Sequence, residues 1–370
     1  MNRAATPALV LALGLGLPSL AACDGEGHHD SMRARPGRAP LAGASNSSGP
    51  SASTLLAKAK KVLGTPPAVA KPRYAMSDAK IELGRKLYYD TRLSKNHDIS
   101  CNTCHLLDNY GVDGLPTSKG HKGQIGDRNA PTVYNAAFHL AQFWDGREPD
   151  VEHQAKGPPT NPVEMAMGSP ERVEATLASI PGYKADFEAV FPDSGVTYDN
   201  MAEAIGAFER KLVTPAPFDD FLAGKTEALD AGQLRGLDLF LEAGCTTCHT
   251  GAAIGGTSYQ KLGVQKPYPC EDEGRKKITG VDADLFVFKV PSLRNVTKTA
   301  PYLHDGSVKS IEEMVQIMAK HQTTYGEMKD DEVKAVVAFL DSLTGEIPAE
   351  YVAKPKLPES GPDTPAPDPT

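Results

Sequence analysis

Apolar side chains recur at helical spacing in two separate regions of the chain. In the first, Ile81, Leu83, Leu87 and Tyr88 fall near one face of a segment from Ser77 to Tyr89, and Ser77 can cap its first turn. Two or three further amphipathic helices are predicted between Ser169 and Lys211, on Val173, Leu177 and Ile180 and then on Met201, Ile205 and Phe208. Pro215 and Pro217 interrupt the pattern and mark a domain boundary. It resumes in a helix from about Asp230 to Glu242, in another from Ser310 to His321 (Ile311, Met314, Val315, Met318), and in a last one from Asp331 to Leu343 (Val333, Val336, Val337, Leu340). Residues 106–126 and 250–284 read as long loops. The pattern predicts a mainly α protein with two helical domains, 66–216 and 217–350.

The two ends lack this rhythm. Arg3 is followed by an apolar run, Ala8 to Leu17, that is too short to span a bilayer. It ends in Leu20-Ala21-Ala22-Cys23, a small-residue cleavage site directly before a Cys. Residues 1–22 therefore read as an export signal and Cys23 as a lipidation site of the bacterial lipoprotein type. Ordinary signal cleavage, leaving Cys23 free, is the alternative. Asp24 resembles a signal for retention at the inner membrane, so the expectation is a periplasmic, lipid-anchored protein. Residues 23–65 are expected to form a flexible tether, with His28-His29 a solvated pair rather than a metal site. The Pro-rich tail, 351–370, is expected to be disordered.

Each domain carries one complete C-x-x-C-H: Cys101-Asn-Thr-Cys104-His105 and Cys245-Thr-Thr-Cys248-His249, 144 residues apart. Two thiols at this spacing sit on one helical turn and can form thioethers to the two vinyl groups of a haem, and the adjacent His is placed as proximal iron ligand. A zinc half-site or a thioredoxin-type C-x-x-C does not require that His. Two covalently bound haem c groups are therefore predicted. Export agrees, because c-type attachment takes place outside the inner membrane. A weaker repeat accompanies the motifs. Gly84-x-x-Leu87-Tyr88 lies 17 residues ahead of Cys101, and Gly236-x-x-Leu239-Phe240 lies nine ahead of Cys245, which suggests duplication of a cytochrome c-like unit. The net charge of -8 disfavours nucleic acid as a partner and permits docking of a basic protein.

Three strings lie between the motifs: Gln142-Phe-Trp144-Asp-Gly146-Arg147, Gln154-Ala-Lys-Gly157-Pro and Asn161-Pro162-Val-Glu164-Met165. Ser292-Leu-Arg294-Asn295 and His304-Asp305-Gly306 follow the second motif. With these, the chain resembles the bacterial di-haem cytochrome c peroxidases, of the superfamily that includes MauG, from about Leu83 to Leu343. The resemblance implies two cytochrome c-like domains packed face to face. It implies a low-potential, peroxidatic N-terminal haem, with His105 proximal and His121, in a loop flanked by Gly120 and Gly123, as resting distal ligand. On spacing alone His121 would read as a surface residue. The C-terminal haem would be the high-potential one, with His249 proximal and Met318 as sixth ligand. Met314 is the competitor, and a core-filling Met is the plainer alternative. MauG carries a Tyr at this ligand position, so a Met favours the peroxidase branch.

The resemblance further implies Glu164 as acid–base group and Gln154 as a residue that hydrogen-bonds peroxide or positions water. Glu164 could otherwise be a capping or solvated acid. Trp144 would carry electrons between the haems, a role compatible with its being a core anchor. A calcium ion between the domains would take the Asn129 side chain and the carbonyls of Thr299 and Pro301. The implied activity is reduction of H2O2 to water with electrons from a small cytochrome c or cupredoxin, by a homodimer. A purely electron-transferring di-haem cytochrome and a MauG-like oxidase are the rivals. Cys270 has no assigned partner, and the acidic run Glu271 to Glu273 reads as a solvated loop rather than a docking patch.

Overall fold

The computed structural model describes residues 49–370. The export signal, Cys23, Asp24 and His28-His29 lie outside the described residues. Among the described residues no helix is long and apolar enough to cross a membrane.

The chain is mainly helical and builds two cores. In the first, helix Asp78–Tyr89 packs on helix Tyr198–Glu209, with Pro170–Ala178 and Pro181–Val190 alongside. Ser77 caps Asp78–Tyr89 by accepting the Lys80 amide at 3.2 Å. Leu83, Leu87, Tyr88, Val173, Met201, Ile205 and Phe208 are buried there. In the second, Ala231–Glu242 packs on Asp330–Asp341 and Ile311–Gln322 is laid against the latter. The only β ladder among the described residues is short: Tyr259–Lys261 pairs antiparallel with Val287–Lys289, Tyr259 opposite Lys289.

The shared glycines of the sequence repeat are the crossing points of these helix pairs. A Cβ on Gly84 would stand 1.9 Å from the Ala204 carbonyl oxygen, and one on Gly236 would stand 1.8 Å from that of Ala335. Only glycine lets the backbones approach so closely. The likeness extends into the loops. Asn135 and Asn295, 160 residues apart, both adopt a left-handed conformation with φ of 61°. Both donate through Nδ2 to the same buried hydroxyl, Thr214 Oγ1, at 2.9 Å. The chain crosses between the cores at this threonine.

The two chain ends differ from their expected disorder. Residues 51–63 belong to the second domain rather than to a tether. Ser51 caps helix Ala52–Ala59, and Leu55, Ala59 and Leu63 are buried among Phe218, Phe221 and Phe240. The spacing of Leu55, Ala59 and Leu63 is a helical stripe that composition alone conceals. The tail 351–370 lies along the first domain instead of being disordered. Tyr351 stacks on Phe208 with ring centres 5.0 Å apart, and Leu357 packs on the same core. Arg92 binds the Pro358 carbonyl and Ser360 Oγ, both at 2.9 Å, and the Asp368 amide donates to the Lys95 carbonyl at 3.0 Å. A Pro-rich segment cannot form a core of its own, but it loses little entropy in docking on one already formed.

Candidate functional site

Cys101–Cys104 is a single helical turn, and the His105 amide closes it on the Cys101 carbonyl at 3.0 Å. Both thiols thus share a turn and His105 follows directly. The Tyr88 hydroxyl pins the His105 carbonyl at 2.9 Å. Cys101 is enclosed, and burial pushes its thiol well above the ordinary range. Burial likewise pulls the His105 imidazole down, against the carbonyls of Gly111 and Pro131 that face it. Cys245–Thr247 repeats the arrangement as a tighter turn, entered through Gly244 at φ 79°, with the His249 amide on the Cys245 carbonyl at 3.0 Å. Burial raises the Cys245 thiol to about 12 and lowers His249 to about 4, while the carbonyls of Ile254 and Pro291 oppose the latter shift.

The second motif opens on a cavity of ≈ 380 Å³. Cys245, Cys248 and His249 line it together with Met314 and Met318, which sit one turn apart on Ile311–Gln322. The structure therefore brings both candidate thioethers to the same space. Trp144, Asn129, Thr299 and Pro301 line this cavity too. Trp144 donates its indole N–H to the Asn129 carbonyl at 2.9 Å and meets His304 edge to face at 6.4 Å.

His121 is 5% exposed, not the surface residue that spacing alone would suggest. Its amide donates to the Glu164 carbonyl at 2.8 Å, and its Nε2 is buried with no hydrogen-bond partner. Gly120 makes this junction possible, since a Cβ there would stand 1.9 Å from the Val163 carbonyl oxygen. Glu164 is half-buried. Burial raises its carboxyl, against the opposing pull of Arg147 and Asn161. Its charge in turn helps to raise the Cys104 thiol, so the carboxyl stands close to the first motif. Gln154 ends the short helix Val151–Gln154, half-buried; its backbone N–H donates to the Asp150 carbonyl at 3.0 Å, and among the described residues its side-chain amide makes no hydrogen bond.

These residues fit haem. His121 Nε2 is buried without a hydrogen-bond partner and so is free to ligate, and the carbonyls that face the His105 and His249 rings suit imidazoles whose other nitrogen is on iron. The four thiols are half-buried, and two thioethers share the cavity of His249. Among the described residues no three His, Cys, Asp or Glu side chains converge as a metal site, so the C-x-x-C pairs lack the further ligands that zinc needs.

Two helical cytochrome c-like halves, each holding a C-x-x-C-H turn, define a di-haem c-type cytochrome. A family profile described as di-haem cytochrome c peroxidase matches residues 78–227, and one described as cytochrome c matches 233–344. The cytochrome c551 peroxidase of Pseudomonas aeruginosa is 48% identical over 301 residues, covering 79% of this chain and 86% of that protein. The cytochrome c551 peroxidase of Nitrosomonas europaea is 48% identical over 291 residues, covering 78% of this chain and 86% of that protein. The crystal structure of a MauG-like protein associated with microbial copper homeostasis superposes with a TM-score of 0.71 at 28% identity, covering 78% of this chain and 98% of that one. The chain belongs to the di-haem cytochrome c peroxidase family.

Sequence reasoning missed several residues of this region. Trp144-Asp145-Gly146 and His304-Asp305-Gly306 are the same element of the repeat, 160 residues apart, and Phe143 and Leu303 share a left-handed backbone. Comparison of the two halves at that offset would have paired Trp144 with His304. Cys270 lies 3.7 Å from His304 Nε2 and donates to the Asp272 carbonyl at 3.3 Å. The acidic run is not simply solvated, because Arg128 holds Asp272 at 2.6 Å and Asp145 at 2.6 Å.

Proposed function

We propose that this protein reduces H2O2 to two waters, consuming two protons and two electrons that a small cytochrome c or cupredoxin delivers singly. Haem iron supplies the coordination site for peroxide and the store for electrons. His105 would hold the peroxidatic group, and His121 Nε2 would occupy it at rest. Releasing His121 would make room for peroxide. Glu164 would take a proton from peroxide and return it to the departing oxygen, a shuttle that its raised pKa favours. Gln154, with an uncommitted amide, orients peroxide or water. His249 and Met318 hold the second, higher-potential group, near which the donor docks. Trp144 conducts between the halves, and Asn129, Thr299 and Pro301 hold a Ca2+ that keeps them in register. The protein works as a periplasmic homodimer, anchored through Cys23.

The observation that carries this reading is the junction of His121 with Glu164. A buried imidazole nitrogen without a partner is tied by its own amide to the backbone of the acid–base residue. Displacement of the imidazole and exposure of the carboxyl are thereby one movement. The test is an EPR and optical titration that follows each haem as one electron is added per protein. The expected result is a first electron at a His/Met haem, with the other iron becoming high-spin and binding peroxide. Two low-spin irons throughout, indifferent to peroxide, would leave a plain electron-transfer protein.

A further inference from the structure

His139 and Lys289 line the cavity of the second motif and have no part in the roles above. Lys289 is 6% exposed, and no carboxylate pairs with it among the described residues. Among the described residues its only side-chain hydrogen bond is with His139 Nδ1, at 3.2 Å. Burial brings its ammonium down to about 8. An ammonium can only donate, so Nδ1 accepts and the imidazole proton sits on Nε2. That Nε2 is buried and has no partner.

Both side chains are held in place. The His139 ring lies on Gly256, where a Cβ would stand 2.2 Å from His139 Cδ2, and the Leu140 amide donates to the Gly256 carbonyl at 2.7 Å. Lys289 sits opposite Tyr259 in the β ladder, and its amide donates to the Trp144 carbonyl at 2.8 Å. The buried ammonium thus has one neutral acceptor and, among the described residues, no counter-charge. A cation in that position is best satisfied by an anion.

We propose that the Lys289 ammonium, held in place by His139 Nδ1, binds a carboxylate, and that this carboxylate is a propionate of the C-terminal haem. A haem fastened through its vinyl groups to Cys245 and Cys248 presents its propionates at the opposite edge of the ring. His139 comes from the first half of the chain and Lys289 from the second, so the ammonium that meets the carboxylate is itself held across the two halves. Positive charge beside the haem also disfavours ferric iron and raises the potential. The inference rests on haem c being attached at Cys245 and Cys248. A small anion from solution would offer the same chemistry from another source.

The test uses the holoenzyme, with haem content measured first and each haem then titrated optically, with and without inorganic phosphate. Lys289→Met should shift the midpoint of the C-terminal haem downward and leave that of the N-terminal haem in place. Lys289→Arg should recover most of the shift, and phosphate should change neither. An unmoved midpoint in Lys289→Met overturns the proposal. A midpoint that follows phosphate concentration in the wild type overturns the propionate assignment in favour of a free anion. If Lys289→Met fails to retain its second haem, the propionate bending bands in resonance Raman spectra of wild type and Lys289→Arg decide, identical bands counting against the proposal. A wild-type chain with a single haem would instead defeat the two-haem reading itself.

Discussion

Glu164 combines partial burial, which raises its carboxyl, with an Arg147 charge close enough to oppose that shift. A group so balanced can change protonation during turnover. Glu164→Gln keeps the shape and loses the proton shuttle, so the variant should bind peroxide normally and turn over about 10²–10⁴-fold more slowly. Stopped-flow binding set against steady-state rates checks this, and weakened binding with normal turnover would sink it. Glu209 presents a different case. It is buried 6% exposed at the end of helix Tyr198–Glu209. Burial, and then the charge of Glu152, raise its carboxyl to about 8, and Arg210, committed to both Glu152 oxygens at 2.7 Å, opposes this only in part. The folded state therefore keeps a proton that the unfolded state has lost above its ordinary value of 4.5. Stability contributed below that pH declines as the pH rises towards about 8. Glu209→Gln should flatten the decline and melt higher than wild type at pH ~8, to be read from Tm across the range.

Among the elements, the two helix crossings make the sharpest demand on sequence. Alanine normally favours a helix over glycine by about 1 kcal/mol. At Gly84 and Gly236 the sign should reverse, because the added Cβ would meet a backbone carbonyl within 2 Å. Gly84→Ala and Gly236→Ala should each destabilise by about 1–3 kcal/mol or more, measured by thermal unfolding of the holoenzyme. The haem turns could be read from the sequence because each is a contiguous motif whose spacing states its own geometry, whereas the glycines could be read as a repeat but not as crossing points. The chain ends could not, since their low-complexity composition says nothing of the surfaces available to receive them. Leu55 and Ala59 need the second core, and Tyr351 and Leu357 the first. Side-chain partners from distant segments were equally hidden. His139 and Lys289 are 150 residues apart, and neither residue type alone announces the other. The choice between Met314 and Met318 was hidden in a related way: at i and i+4 of one helix, both reach the same cavity.

At the scale of the whole molecule, the halves are joined by exchange. The first helix packs into the second core and the last segment lies on the first, so each core is completed by the far end of the chain. Thr214 receives an Asn from each repeat, and the equivalent residues Trp144 and His304 touch each other. Asn129 is fixed to both repeats, with its amide on the His304 carbonyl at 2.7 Å and its own carbonyl taken by Trp144. Its Nδ2 donates to the carbonyls of Leu115 and Pro116, which leaves the side-chain oxygen as the atom that could meet a cation. A cation held by that oxygen and by the carbonyls of Thr299 and Pro301 would act on the junction that sets the path between the two redox groups, rather than on either core. Chelation of the holoenzyme should therefore slow peroxide turnover by up to about 10²-fold, a cost typical of an ångström-scale misplacement, with little change in Tm. Added Ca2+ should restore the wild type but not Asn129→Ala. Full turnover in a chelated protein shown by metal analysis to be free of calcium would mean that the junction holds its register through Thr214, Trp144 and His304 without a cation.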